Sequence, residues 1–146
     1  MRSRCAIVGA VNAQDEDAAA VEAANQAFYE AFERRDFDAI SDCWEHSDRV
    51  LCTHPGWSTL HGWSSVSASW FALCTNAQRL QFILTGTQVG VAGDGAWVSC
   101  DENILDSATS ATVAALNFFV RAPESTHGWL IVAHSGSLVH ARADAP

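Results

Sequence analysis

Between Asp15 and Trp44 the apolar positions recur every three or four residues. Val21, Ala24, Phe28, Ala31 and Phe32 share one side of a helical wheel, while Glu22, Gln26, Glu30 and Glu33 fall elsewhere. The pattern predicts a long amphipathic helix that ends near Arg34-Arg35. Its entry is Asp15-Glu16-Asp17, acids that suit the positive end of a helix dipole. Asp36 is placed to cap a second, shorter helix with Phe37, Ile40 and Trp44 on one face. Arg49 to Thr53 reads as a short strand running into the turn His54-Pro55-Gly56. Val66, Trp70, Leu73 and Cys74 then predict a third helix.

From Gln78 onward the period changes. Four stretches rich in β-branched and aromatic residues follow, at Arg79 to Val91, Ala96 to Leu105, Val113 to Ala122 and Trp129 to His140. Gly93-Asp94-Gly95 predicts a hairpin turn, and Pro123 to Gly128 a looser polar one. Helix, helix, strand, helix and an antiparallel meander make the α+β class. The expected division is an N-terminal extension over 1–14, one domain over 15–140 and a tail over 141–146.

Composition narrows the function. The 146 residues are a one-domain length, and 49% hydrophobic against 17% charged excludes a disordered chain. The formal charge is −9 and there is no lysine, so no basic stripe exists to displace counterions from phosphates. Nucleic acid and anionic membrane are therefore not expected partners. Most of the carboxylates lie between Asp15 and Asp48, as befits a solvated helical face. Five scattered cysteines, Cys5, Cys43, Cys52, Cys74 and Cys100, have no C-x-x-C pair and read as thiols in a reducing, cytoplasmic setting. Arg2 and Arg4 before the apolar run Cys5 to Val11 argue the other way, since they imitate a very short secretion signal.

The segments Ala31-Phe32-Glu33-Arg34-Arg35-Asp36-Phe37-Asp38, Thr53-His54-Pro55-Gly56-Trp57, Gly62-Trp63 with Ser69-Trp70, and Trp129 to His134 carry a family resemblance. With the order of elements, they are similar to the nuclear transport factor 2-like superfamily, within it to the SnoaL-like group. The chain also resembles the association domain of calcium/calmodulin-dependent protein kinase II. The resemblance implies a strongly curved antiparallel sheet wrapped around the long helix, a cone with a pocket at its open end, and a homodimer. It does not fix an activity, because the superfamily holds isomerases, dehydratases, cyclases, hydrolases and assembly domains on one scaffold.

Polar residues on otherwise apolar strand faces are the candidates for chemistry. Alternation puts Val98, Cys100, Glu102 and Ile104 on one face, so a carboxylate interrupts a cavity-facing row. Glu102 is then either a desolvated acid or base, or a rim residue paired with arginine or wetted by solvent. His54, beside a Pro-Gly turn, is a candidate general base or a histidine that fixes its turn by bonding backbone. Asn117 interrupts its own strand, and His134 shares a face with Leu130 and Val132 as a ligand group or a core histidine.

By the resemblance, His54 lies near the general-base aspartate of ketosteroid isomerases and Asn117 near their oxyanion acid. Phe28 stands at their tyrosine position, with Tyr29 one step around the helix, so steroid isomerase chemistry is not inherited. Trp57, Trp63 and Trp70 are candidate pocket walls for a flat apolar ligand, Trp70 also suiting the core. The histidine spacing offers no metal site, and no motif calls for a cofactor. The expected function is to bind a small apolar molecule, with cofactor-independent acid/base chemistry by His54 and Glu102. The alternative is a non-catalytic binding or assembly module.

Overall fold

The computed structural model describes residues 12–76, 80–105 and 110–140. The extension before residue 12, the tail after 140, Cys5 and the strand start at Arg79 lie outside the described residues. Helix α1 spans Ala13–Arg34, and Asn12 caps it by accepting from the Asp15 amide at 2.8 Å. Its acids Asp15 and Glu16 lie in the first turn, and Arg35 closes it in the left-handed conformation. Helix α2, Phe37–Asp42, is capped by Asp36, which accepts from the Ala39 amide. Trp44, expected on α2, lies beyond its end, where it bridges to Ile131 and stays buried.

Strand β1 (Leu51–Thr53), a short β2 (Leu60–His61) not foreseen from sequence, and α3 (Trp63–Thr75) follow. The meander is β3 (Gln81–Ala92), β4 (Gly95–Leu105), β5 (Ser110–Arg121) and β6 (Trp129–Leu138). The sheet order is β2-β1-β6-β5-β4-β3. The meander is antiparallel throughout, and β1 joins its end parallel to β6. That last pairing sets Cys52 opposite His134.

Two bulges curve the sheet. In β3 the register slips between Thr85 and Gln88, at Gly86, whose φ of +63° suits a bulge that glycine adopts without strain. In β6 one residue is extra, because Phe118 pairs with Ala133 but Phe119 with Ile131. Val132 is that residue, and it reverses the alternation. Trp129 and Ile131 are buried before it and His134 after it, while Leu130 and Val132 are only half-buried. The expected face of Leu130, Val132 and His134 is thus corrected, because strict alternation fails at a bulge.

The inner face of the sheet packs on α1 and α3. Phe28, Trp70, Val98, Phe119 and Ile131 form the centre of this core, and Trp70 touches Phe28 and Phe32 edge to face. Fully burying side chains of this size stabilises a fold by about 1.5–3 kcal/mol each. Among the described residues no helix is long and apolar enough to cross a membrane.

Candidate functional site

A row of polar side chains runs through this apolar core. Asn25, Tyr29, Glu102, Asn117, His134 and His54 are all buried, and they come from α1, β4, β5, β6 and the loop after β1. Asn25 and Tyr29 stand one helical turn apart, so both point from the same side of α1. The Tyr29 hydroxyl donates to Glu102 Oε2 at 2.6 Å. Asn117 uses both amide hydrogens, one to Asn25 Oδ1 at 2.9 Å and one to the Tyr29 oxygen at 3.2 Å. Its own Oδ1 lies 2.5 Å from His134 Nδ1. Because that oxygen only accepts, the network assigns the proton to His134 Nδ1 and leaves Nε2 a lone pair.

His54 stands beside His134, ring centroids 6.4 Å apart, because β1 runs parallel to β6. Gly136 helps to seat its loop, since a Cβ there would meet Val113 Cγ1 at 2.9 Å and Pro55 Cγ at 3.3 Å. His54 Nε2 lies 2.9 Å from Ser69 Oγ, which itself donates to the Val66 carbonyl on α3. The ring is therefore tied to a side chain of the third helix, and not to the backbone of its own turn. Trp70 packs edge-on against both imidazoles, at 4.8 Å from His54 and 5.6 Å from His134.

Burial governs how these groups titrate. Desolvation pushes Glu102 up to about 7, against a smaller downward pull from the Tyr29 hydrogen bond. Among the described residues no guanidinium contributes: the partner of Glu102 is a phenol, and the residue is 5% exposed, so neither arginine pairing nor a wetted rim describes it. Desolvation lowers His54 to about 4, and desolvation with the nearby His54 lowers His134 to about 3. Both imidazoles are neutral at physiological pH. Tyr29 is pushed well above its ordinary value, first by burial and then by Glu102. Burial likewise raises Cys52 to about 12, so its thiol is not a nucleophile.

The structure thus brings together six of the eight residues singled out from sequence: Tyr29, His54, Trp70, Glu102, Asn117 and His134. Trp57 flanks them, half-exposed and edge-on to His54 at 4.9 Å. Trp63 lies apart, stacked on His46 at 4.3 Å and tilted against Trp44. Sequence reasoning missed Asn25 and Ser69 as members of the site. Asn25 was accessible through its one-turn spacing from Tyr29, whereas Ser69 entered only as part of the Ser69-Trp70 segment of the resemblance, with no role attached. Among the described residues no group of three or more His, Cys, Asp or Glu is arranged to hold a metal.

Comparison with known proteins places this geometry in a family. The model of the SnoaL-like domain matches residues 21–141, and the chain belongs to that family. A protein of the NTF2-like family from Streptomyces avermitilis, described as a candidate dehydratase, is 39% identical. The match covers 87% of this chain and 99% of that one, with a TM-score of 0.78. A protein from Thiobacillus denitrificans, described as a candidate calcium/calmodulin-dependent protein kinase type II association domain, is 31% identical over 82% of this chain and 94% of its own, TM-score 0.68. A ketosteroid isomerase-like protein from Erwinia carotovora atroseptica shares the fold at 19% identity, covering 87% and 99% of the two chains, TM-score 0.67. No curated protein matches the chain. The α+β class and the SnoaL-like resemblance read from sequence are both borne out.

Proposed function

We propose that the chain binds a small apolar molecule inside the cone and moves a proton on it without a cofactor, in a reaction of dehydratase, isomerase or cyclase type. One observation carries this reading: Glu102 is a buried carboxyl on the inner face, held at 2.6 Å by Tyr29, with its pKa raised to about 7. Such a group is close to half-protonated at neutral pH, so it takes a proton from carbon and returns one to oxygen with little cost in either direction. Desolvated carboxyls on apolar faces are common marks of function.

The neighbours have distinct parts in this proposal. Tyr29 orients Glu102, and Asn117, with both N–H groups committed, orients Tyr29 and His134 instead of meeting a bound oxygen. His54 is the second base, its neutral imidazole screened from water by Trp57 and Trp70. The relative described as a candidate dehydratase supports the dehydratase form. The domain proper is 15–140. Among the described residues the four cysteines are free thiols, which supports a cytoplasmic setting.

The test begins with native mass spectrometry of the purified chain, to identify the molecule it retains. On that molecule or its close analogues, Glu102→Gln is expected to lower turnover by about a hundredfold or more while binding persists. Unchanged turnover in both Glu102→Gln and His54→Ala rejects the mechanism.

A second reading, assembly, rests on the other face of the sheet. Trp97 and Phe118 are each 41% exposed there, beside Leu116, Val120 and Leu130. The 31% identical relative described as an association domain supports self-association, and we assign the homodimer to this face.

A further inference from the structure

The last residue of the α1 cap is unusual. Arg35 holds φ +54°, the one positive value outside glycine among the described residues, at a position where helices commonly end in glycine. Its guanidinium is turned back toward α3, where Nη1 donates to the Asn76 carbonyl. Nη2 is buried and has no hydrogen-bond partner among the described residues. Among the described residues no carboxylate lies within 4.0 Å of Arg35, and the nearby Asp36 faces Arg34 at that limit. A buried N–H without an acceptor is costly, and here it belongs to a full positive charge.

Arg35 and Asn76 line a cavity of about 40 Å³ with Phe32, Leu73, Cys74 and Leu80. That volume is of the order of one water molecule, and so of one small polar headgroup. Phe32 leads inward from it. Its ring meets Phe82 at 4.8 Å, Phe82 meets Tyr29 at 6.1 Å, and Tyr29 bonds Glu102. The packed rings of Phe32, Phe82 and Tyr29 therefore stand in series between the guanidinium and the buried carboxyl. Along α1 the span from Tyr29 to Arg35 is roughly 9 Å, at about 1.5 Å per residue.

We propose that Arg35 is an anion anchor and that the molecule bound in the cone is an apolar carboxylic acid. Its carboxylate meets Nη2 in the small cavity, and its hydrocarbon body runs along Phe32 and Phe82 toward Glu102. Arginine suits this task because its planar fork keeps one arm on the Asn76 carbonyl while the other meets the carboxylate. The assignment rests on the reading of the cone as a small-molecule site and names its substrate class.

The probes are octanoate and its neutral counterpart octanamide, titrated into the full-length protein by calorimetry. Octanoate is expected to bind at least about tenfold more tightly, a difference of one decade in Kd. Arg35→Gln should erase that preference and leave octanamide unchanged. Arg35→Gly should erase it too while raising Tm, because glycine relaxes the left-handed cap, so loss of preference is separated from loss of fold. Equal binding of the two probes to the wild type, or a preference that survives Arg35→Gln, overturns the anchor and leaves the apolar site standing. Binding of neither probe overturns the small-molecule reading and the anchor with it.

Discussion

Glu102 and the two histidines respond to pH in opposite directions. Glu102 has a folded pKa raised from 4.5 to about 7, mainly by desolvation. Its protonated form is favoured by the fold, so its contribution is complete below pH 4.5 and is lost as pH rises through about 7. His54 and His134 have folded values lowered from 6.5, again by desolvation, so their contribution is present above pH 6.5. It is lost as pH falls through about 4 and about 3. Glu102→Gln replaces the carboxyl by a neutral isostere. It is expected to leave stability unchanged below pH 4.5 and to raise it above pH 7, by at most a few kcal/mol at about 1.4 kcal/mol per tenfold change. Thermal unfolding followed across that range checks the claim. A difference between variant and wild type that does not vary with pH would show that Glu102 titrates as an exposed carboxyl does.

Elements are held to one another by a clasp that lies far from the candidate site. Arg121, at the end of β5, donates to both oxygens of Asp17 on α1, at 2.9 and 3.0 Å. It also donates to Asp94 at 3.2 Å and to the Gly93 carbonyl at 3.1 Å in the β3–β4 hairpin, and it lies 4.4 Å above the Trp129 ring. One side chain thus ties the N-terminal part of α1 to the β3–β4 hairpin and the end of β5. Arg121→Ala is expected to speed amide exchange from Asp17 to Val21 severalfold, with the centres of β4 and β5 as protected as before. Uniform exchange in variant and wild type would mean that the core alone seats the helix. Nothing in the sequence announces this clasp, because its partners stand 104 and 27 residues away. The same limit hid the bond between Tyr29 and Glu102, 73 residues apart, although each residue was singled out on its own. Local periodicity was enough for α1, α3 and the inward row Val98, Cys100 and Glu102, where the backbone is regular. It failed in β6, where Val132 adds a residue and moves His134 to the other face, and at β2, too short to show a period.

At the scale of the whole molecule, charge and apolar surface are kept apart. Glu22, Glu30, Glu33, Asp36, Asp38 and Asp42 are exposed on α1, α2 and their junction, so most of the −9 charge faces water on the helical side. The outer face of the sheet is the contrast. Trp97 lies across Gly90, where a Cβ would come within 2.1 Å of its ring, so the aromatic surface is laid flat against β3. Phe118 is directly opposite Trp97 on β5, and the pair is flanked by Leu116 and Val120. Two copies meeting by their helices would bring like charges together, whereas two copies meeting by their sheets bury this patch and leave the acids outside. A twofold axis through the sheet lets the same patch serve both copies. The chain is therefore expected to sediment as a dimer at near twice its 15.7 kDa, by a self-association that added salt does not weaken. Trp97→Glu combined with Phe118→Glu puts four carboxylates into that interface and is expected to yield folded monomers with an unchanged far-ultraviolet circular dichroism spectrum. A wild-type chain that sediments as a monomer, or a double variant that still pairs, would remove the dimer from this face. The charge repels helical faces, the aromatic patch attracts sheet faces, and both favour the same mode of pairing with the proposed site inside each cone.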